Sequence, residues 1–300
     1  MKLLLLGSTG LLGRAVAEEA RLRGHALREA ARRNAEITLD IADEQALREV
    51  LAAENPDMVF NCAALTDIEA CERNPLDAWS TNARPLAFLA AWARESGGKL
   101  IHVSTDQYFT EGGREAHDEM TPVSLVNEYA RTKFAGEAFA LTAANALVLR
   151  TSIVGIRGWE KQTLAEWAID VALNDRPAQL FADAWSSSID VGSFARAAFD
   201  MAEAEMSGLY NLAAGEVYTK EDFVREIARQ LERKLTAATS GSVRGLATTR
   251  AHCLGLDVTR AETLLGRRLP ELPEVVASVL HRYNEISAHD LRQLAPHRNA

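Results

Sequence analysis

Seven residues near the start of the chain, Gly7-Ser8-Thr9-Gly10-Leu11-Leu12-Gly13, constrain its fold more than any other segment. They follow an apolar run at residues 3–6, which predicts a buried strand, and precede a helical pattern at residues 12–23. Glycines let a strand turn tightly into a helix, so that backbone N–H groups can approach a pyrophosphate. The spacing is GxxGxxG, and small residues also form ordinary strand-to-helix turns. In this position the motif predicts a dinucleotide site that contains Gly7, Thr9, Gly10, Leu11, Leu12 and Gly13.

Strand and helix patterns alternate through the first half of the chain. Strands are predicted at residues 3–6, 25–31, 37–40, 58–61, 100–104 and 147–150, and helices at 12–23, 44–54, 79–96 and 127–141. Because strands that alternate with helices form parallel βαβ units, the fold class is predicted as α/β, a Rossmann-type doubly wound parallel sheet.

The alternation becomes irregular after residue 150, which predicts two domains. Residues 1–150 are predicted to bind the dinucleotide, and residues 151–300 to form mainly a smaller C-terminal substrate lobe. A segment at about 180–205 is expected to return to the first domain. Capping boxes are predicted at Thr219 with Asp222 and at Thr259 with Glu262, each at the start of a helix.

Charge and cysteine content exclude several classes of partner. The formal net charge is −9, which disfavours nucleic acid and anionic membranes as partners. Three cysteines with no CxxC spacing predict neither a disulfide framework nor a metal site, and favour a reducing, cytoplasmic location. The run at residues 3–6 is too short for a signal peptide, and no stretch of eighteen apolar residues predicts a membrane span.

The end of the second strand favours one dinucleotide over the other. Arg32 and Arg33 follow this strand, where an arginine can bind the 2′-phosphate of NADP and an acid would favour NAD. The nearest acid, Glu29, precedes the strand end. NADP(H) is therefore the predicted cofactor, with NAD(H) as the alternative, although a solvated basic turn would have the same sequence.

Two further segments are candidates for contact with the cofactor. Asp40, followed by Ile41, is placed to accept a hydrogen bond from the adenine amino group, or else to cap a turn. The small residues Cys62, Ala63 and Ala64 end the fourth strand, where they allow the backbone to lie against the cofactor. Close packing of a helix on the sheet would also explain them.

Tyr129 and Lys133 form the only YxxxK pair of the chain. Residues i and i+4 share a helical face, so the phenol and the ammonium can act at one place. Reduction of a ketone needs a proton for the developing alkoxide, and a nearby ammonium lowers the pKa of a phenol. The fifth strand ends at Ser104-Thr105-Asp106, and ligands of open α/β sheets bind beyond such ends. A hydroxyl there can polarise a substrate carbonyl.

With these motifs the chain resembles the extended short-chain dehydrogenases/reductases, and in particular the dTDP-4-dehydrorhamnose reductase family. The resemblance covers nearly the whole chain. It implies NADPH as hydride donor and a nucleotide-linked 4-keto-6-deoxy sugar as acceptor, with reduction at C4. It also implies that Thr105 orients the carbonyl, that Tyr129 donates the proton, and that Lys133 lowers the pKa of Tyr129 and binds the ribose. Further substrate contacts are expected from Thr66, Asp106, Gln107 and Arg250.

The substrate half differs from the family pattern. Gln107 occupies a position where the family has tyrosine, Ile153 replaces an aromatic residue, and Ser186-Ser187-Ser188 lies within a stretch that usually contains proline. Two alternatives therefore stay open: a sugar-nucleotide epimerase or dehydratase, and a non-catalytic NADP-binding subunit similar to the regulatory β subunit of methionine adenosyltransferase. A homodimer is compatible with any of them.

Overall fold

A computed structural model of the protein describes residues 1–158, 162–243 and 251–294, with side chains as far as residue 287. Seven strands form one sheet in the spatial order β11-β6-β5-β4-β1-β2-β3, and all are parallel. Their bounds are β1 Lys2–Leu6, β2 Ala26–Ala31, β3 Ile37–Thr38, β4 Met58–Asn61, β5 Lys99–Val103, β6 Ala146–Arg150 and β11 Gly208–Asn211. The predicted Rossmann-type sheet is confirmed.

Helices cover both faces of this sheet because its strands carry apolar residues on both faces. The helices of the first half are α1 Leu11–Leu22, α2 Glu44–Glu54, α3 Ile68–Arg73, α4 Pro75–Asn82, α5 Arg84–Ser96 and α6 Glu128–Ala140. Leu3 and Leu5 belong to the core that includes α1, whereas Leu4 and Leu6 belong to the core that includes α2 and α5. The chain runs outward from β1 through β2 to β3 and then returns to β4, which lies on the other side of β1. This change of direction opens a crevice at the carboxyl ends of β1 and β4.

One predicted helix was wrong. Residues 79–96 form parts of two helices, because α4 ends at Asn82 and α5 begins at Arg84. Pro85 lies in the first turn of α5, where its missing N–H costs nothing, and it could not continue a helix from α4. The short helix α3 was not predicted.

The remaining elements in the described parts of the chain are shorter strands and five helices. They are β7 Ile153–Val154, α7 Leu164–Asn174, β8 Ala178–Phe181, β9 Trp185–Ser186, β10 Ile189–Asp190, α8 Val191–Glu203, β12 Tyr218–Thr219, α9 Lys220–Gln230, β13 Ala238–Gly241, β14 Cys253–Leu254, α10 Thr259–Leu265 and α11 Leu272–Leu294. Residues of α7, α9 and α11 share a separate apolar core. Helix α8 packs into the core that contains α1, and β11 extends the main sheet beside β6. The domain boundary near residue 150 stays a prediction.

Of the two predicted capping boxes, one is present. Thr219 accepts a hydrogen bond from the backbone N–H of Asp222, and the Asp222 carboxylate accepts one from Thr219. The second is wrong. Thr259 instead donates to Asp257, while the Glu262 carboxylate accepts from the backbone N–H of Leu269 at 2.7 Å.

Candidate functional site

The glycine turn is closed so tightly that side chains would not fit in it. Gly7 has φ of +80°, and a Cβ there would lie 2.7 Å from the backbone nitrogen of Ala63. A Cβ on Gly13 would lie 2.1 Å from the carbonyl oxygen of Gly7. Helix α1 follows directly, with Gly10 at its N-cap and no side-chain cap. The first turn of α1 therefore offers backbone N–H groups to an anion, which fits the predicted pyrophosphate site.

A segment after β6 covers this turn from the other side. A Cβ on Gly155 would lie 3.3 Å from the Leu11 side chain, so the backbone after β7 passes next to the start of α1. The Arg14 guanidinium donates to the carbonyl oxygen of Arg157 at 3.1 Å. The crevice at the ends of β1 and β4 thus has a floor formed by the glycine turn and a wall formed by residues 153–157.

The predicted arginine pair lies beside the glycine turn. Leu6 in β1 is in register with Ala30 in β2. Arg32 and Arg33 therefore lie beyond the carboxyl ends of these strands, as Gly7 does. Both are exposed, and neither forms an ion pair with any residue in the described parts of the chain. Glu29, the acid that could favour NAD, is instead paired with Arg21. Two unpaired guanidinium groups at this edge fit a phosphate.

The remaining predicted cofactor residues lie on the same edge. Asp40 is exposed, and its carboxylate accepts a hydrogen bond from the backbone N–H of Ala42 at 3.0 Å, which is the turn role considered for it. Ile41 is buried in the core below. Cys62, Ala63 and Ala64 are half-buried directly after β4, and the backbone of Ala63 lies close to Gly7. Their contact with the cofactor stays a prediction.

Tyr129 and Thr105 form the centre of the candidate site. Tyr129 lies at the start of α6, whose N-cap Asn127 accepts a hydrogen bond from the backbone N–H of Ala130 at 2.8 Å. Burial raises the pKa of Tyr129 to about 12, although a hydrogen bond with Thr105 acts in the opposite direction. The phenol ring packs against Cys71, which lies on α3. The structure therefore brings the predicted phenol and the predicted strand-end hydroxyl together.

Asp106 and Gln107 extend the site away from Tyr129. The Asp106 carboxylate accepts a hydrogen bond from the Gln107 amide at 3.0 Å, and it is 3% exposed. Burial raises the pKa of Asp106 to about 6, while Gln107 and Ser152 lower it. The hydroxyls of Ser186 and Ser188 lie 2.7 Å apart, and the Ser188 hydroxyl is 2.8 Å from that of Ser152. Ser152 belongs to a segment that matches the family pattern, whereas Ser186 and Ser188 belong to the stretch that departs from it.

Lys133 lies one turn along α6 from Tyr129, and it is 2% exposed. Its ammonium donates to the carbonyl oxygen of Val103 at 2.7 Å. Burial lowers the pKa of Lys133 to about 8, and the neighbouring Glu137 and Cys62 act in the opposite direction. The ammonium is therefore held at the last residue of β5, two residues before Thr105.

A buried carboxylate below the site was missed by sequence reasoning. Glu137 accepts hydrogen bonds from the hydroxyls of Ser104 at 2.5 Å and Tyr108 at 3.0 Å, and it forms an ion pair with Arg150 at 2.8 Å. Glu137 and Arg150 are 2% and 3% exposed. The spacing of Tyr129, Lys133 and Glu137 at i, i+4 and i+8 could have indicated this position, because these residues share one helical face.

Two further substrate residues were predicted, and both stay predictions. Thr66 is exposed in the loop between β4 and α3. Arg250 lies outside the described residues. Within the described ranges, no cluster of three or more His, Cys, Asp or Glu side chains is arranged to hold a metal ion. No helix in these ranges has both the length and the apolar character needed to cross a membrane.

Residues 1–285 match the model of a protein family described as the RmlD substrate binding domain. The chain belongs to this family. It is 31% identical to the probable low-salt glycan biosynthesis reductase Agl14 of Haloferax volcanii, over 94% of this chain and 98% of that protein. It is also 31% identical to the dTDP-4-dehydrorhamnose reductase of Mycolicibacterium smegmatis, over 75% of this chain and 67% of that enzyme. The resemblance to dTDP-4-dehydrorhamnose reductases is confirmed.

Solved structures confirm the fold of this chain. One is the dTDP-4-dehydrorhamnose reductase of Bacillus anthracis in complex with NADP, which superposes with a TM-score of 0.83 at 22% identity. The alignment covers 94% of this chain and 99% of that one. At this identity the similarity concerns the fold.

Proposed function

We propose that the protein reduces the C4 ketone of a nucleotide-linked 4-keto-6-deoxy sugar, with NADPH as the hydride donor. The observation that carries the proposal is the proximity of the Tyr129 phenol to the Thr105 hydroxyl, which lowers the phenol's pKa, beyond the carboxyl end of β5. Relatives that are named reductases of this kind support it.

Tyr129 is the proposed proton donor. Because burial keeps its pKa near 12, the phenol is protonated at neutral pH and has a proton to give to the developing alkoxide. Thr105 is proposed to donate its hydroxyl hydrogen to the substrate carbonyl, which orients and polarises that group. Asp106 and Gln107 lie next to Thr105, and their polar atoms are proposed to bind hydroxyl groups of the sugar.

The charge on Lys133 is proposed to stabilise the phenolate that Tyr129 leaves after proton transfer. At present its ammonium is bound to Val103, one residue before the strand-end hydroxyls. In this position it is also proposed to hold the nicotinamide ribose. Because the pKa of Lys133 is lowered to about 8, the ammonium form that stabilises a phenolate is lost as the pH rises through this value.

The residues around the crevice fit NADPH. The turn from Gly7 to Gly13 would hold the pyrophosphate, since the glycines let the backbone close tightly before α1 and no side chain caps the first turn of this helix. Arg32 and Arg33 would hold the 2′-phosphate. When bound, the cofactor supplies a hydride, and every proton in the proposed reaction comes from the protein side.

The test is a reductase assay of the purified protein with a panel of nucleotide-linked 4-keto-6-deoxy sugars, followed by the near-ultraviolet absorbance of NADPH and by mass spectrometry of the product. Tyr129→Phe is expected to lower the rate by about 100-fold or more, because no group replaces the lost proton donor. Tyr283→Phe, in α11, is the matched control and is expected to keep the rate. An unchanged rate in Tyr129→Phe would exclude Tyr129 as the donor.

The same assay separates the alternatives. An epimerase or dehydratase would change the sugar without net consumption of NADPH. A regulatory subunit would bind NADPH tightly, with and without the Tyr129→Phe change, and would turn over none of the sugars. Either result would refute the proposed reduction.

A further inference from the structure

A line of buried side chains lies behind Lys133, and the proposed reaction does not use it. The backbone N–H of Ala63 donates to Asn61 Oδ1 at 3.1 Å. Asn61 Nδ2 lies 3.2 Å from His102 Nδ1, and His102 Nε2 lies 3.5 Å from Lys133 Nζ. Asn61 and His102 are fully buried. The partners of each polar atom are therefore side chains and backbone groups of the protein.

The backbone at one end of this line fixes the direction of its hydrogen bonds. A backbone N–H can only donate, so the Asn61 atom that faces Ala63 is the carbonyl oxygen and its NH₂ group faces His102. The Nδ1 atom of His102 must then be an acceptor. Burial, helped by the charge of Lys133, keeps the pKa of His102 well below its ordinary value, so the ring is neutral and its single proton is on Nε2.

This tautomer points an N–H at Lys133. An ammonium has three donors and no acceptor, so it cannot form a hydrogen bond with the Nε2–H of His102. The contact of 3.5 Å is correspondingly long, while the bond from Lys133 to the Val103 carbonyl is 2.7 Å. The ammonium must direct its hydrogens away from His102, and one of them is donated to the Val103 carbonyl oxygen.

We propose that His102 is a positioning residue, whose Nε2–H denies the Lys133 ammonium a hydrogen bond behind the site and so turns it toward Val103 and the reacting groups. Only the catalytic consequence of this role depends on the proposed function. The other titratable or charged groups that face Lys133 are Glu137 on α6 and Cys62 after β4. Arg150 on β6 is paired with Glu137 and reduces its effect.

The tautomer is tested directly by ¹⁵N NMR of histidine-labelled protein. The chain has seven histidines, and the His102 signals are assigned as those missing from a variant. We expect a neutral ring protonated on Nε2 across the neutral pH range. A ring protonated on Nδ1, or one that titrates near neutral pH, would overturn the proposal without any measurement of activity.

Two variants separate the N–H group from the bulk of the ring. His102→Asn keeps an acceptor for Asn61 and loses the donor that faces Lys133, whereas His102→Gln keeps an amide N–H close to the position of Nε2. The titration of Lys133 is followed by NMR in protein labelled at lysine Cε, with the signal assigned through Lys133→Met. We expect the midpoint to rise by roughly half a pH unit or more in His102→Asn and to stay in place in His102→Gln.

Activity provides the second readout. In His102→Asn, kcat should fall by about tenfold, and the alkaline limb of the pH profile should move upward together with the Lys133 midpoint, while His102→Gln restores both. A purely structural role would lower the amount of folded enzyme and leave the limb in place. Equal Lys133 midpoints in the wild type and both variants would refute the proposal. Wild-type protein without reductase activity would refute the proposed function, and the titration would still decide the role of His102.

Discussion

The buried carboxylate of Glu137 is expected to be a major contributor to stability. Its two oxygens accept from the guanidinium of Arg150 at distances of 2.8 to 3.2 Å, and Oε1 also accepts from the Ser104 and Tyr108 hydroxyls. In Glu137→Gln, an amide NH₂ replaces one of these oxygens. This NH₂ group then faces other hydrogen-bond donors, and the buried guanidinium of Arg150 loses the carboxylate that balanced its charge.

The size of the effect follows from burial. Both partners are at most 3% exposed, so water cannot replace the lost charge. Removing one member of such a pair costs about 3–5 kcal/mol of unfolding free energy, whereas removing a member of an exposed pair costs about 0–1 kcal/mol. For a chain of 300 residues, an unfolding entropy of about 2.1 cal/mol/K per residue means that each kcal/mol lowers Tm by about 1.6 °C. Glu137→Gln should therefore lower Tm by about 5–8 °C.

The measurement is scanning calorimetry of the wild type, Glu137→Gln and a control, Arg268→Gln. Arg268 pairs with Glu271, but its side chain is 81% exposed. We expect the control to shift Tm by less than about 2 °C. If Glu137→Gln melted within about 2 °C of the wild type, the buried pair would not have the energetic role that its geometry implies. Because Ser104 precedes Thr105 and donates to Glu137, the variant should also lose reductase activity.

Three other substitutions have defined outcomes. Gly13→Ala should abolish NADPH binding and cost roughly 1–3 kcal/mol, since its Cβ would lie 2.1 Å from the Gly7 oxygen; fluorescence titration with NADPH checks the binding. Arg32→Ala with Arg33→Ala should weaken NADPH at least about tenfold and NADH little, and equal weakening would exclude the 2′-phosphate contact. Because the pKa of Asp106 is raised to about 6, its negative charge lowers the stability of the folded protein above this pH. Asp106→Asn should therefore stabilise the protein by about 1–3 kcal/mol at pH 7.5, measured by urea unfolding. This gain should vanish as the pH falls from about 6 to about 4.

The framework of the site was predictable because it depends on short-range order. Gly7 and Gly13 are six residues apart, and the turn that they permit follows from local sterics and from the strand before it. The phenol of Tyr129 and the ammonium of Lys133 share a face because helical geometry puts residues i and i+4 together. Continuous apolar runs predicted a sheet covered on both faces.

Predictions failed where distant residues or backbone geometry decided the outcome. The pattern at residues 79–96 was compatible with one helix, and the break before Pro85 divides it into α4 and α5. The second capping box was absent because Asp257 bonds to Thr259, although the sequence motif was present.

The sequence alone determined the parallel sheet, the glycine turn, and the shared helical face of Tyr129 and Lys133. Each of these features depends on periodicity or on neighbours along the chain. Only the tertiary structure decided what surrounds them. The pairing of Glu137 with Arg150 and the contacts of the His102 ring arise between separate strands and helices. The energies of those contacts depend on burial and on the direction of each hydrogen bond, and the order of residues along the chain specifies neither.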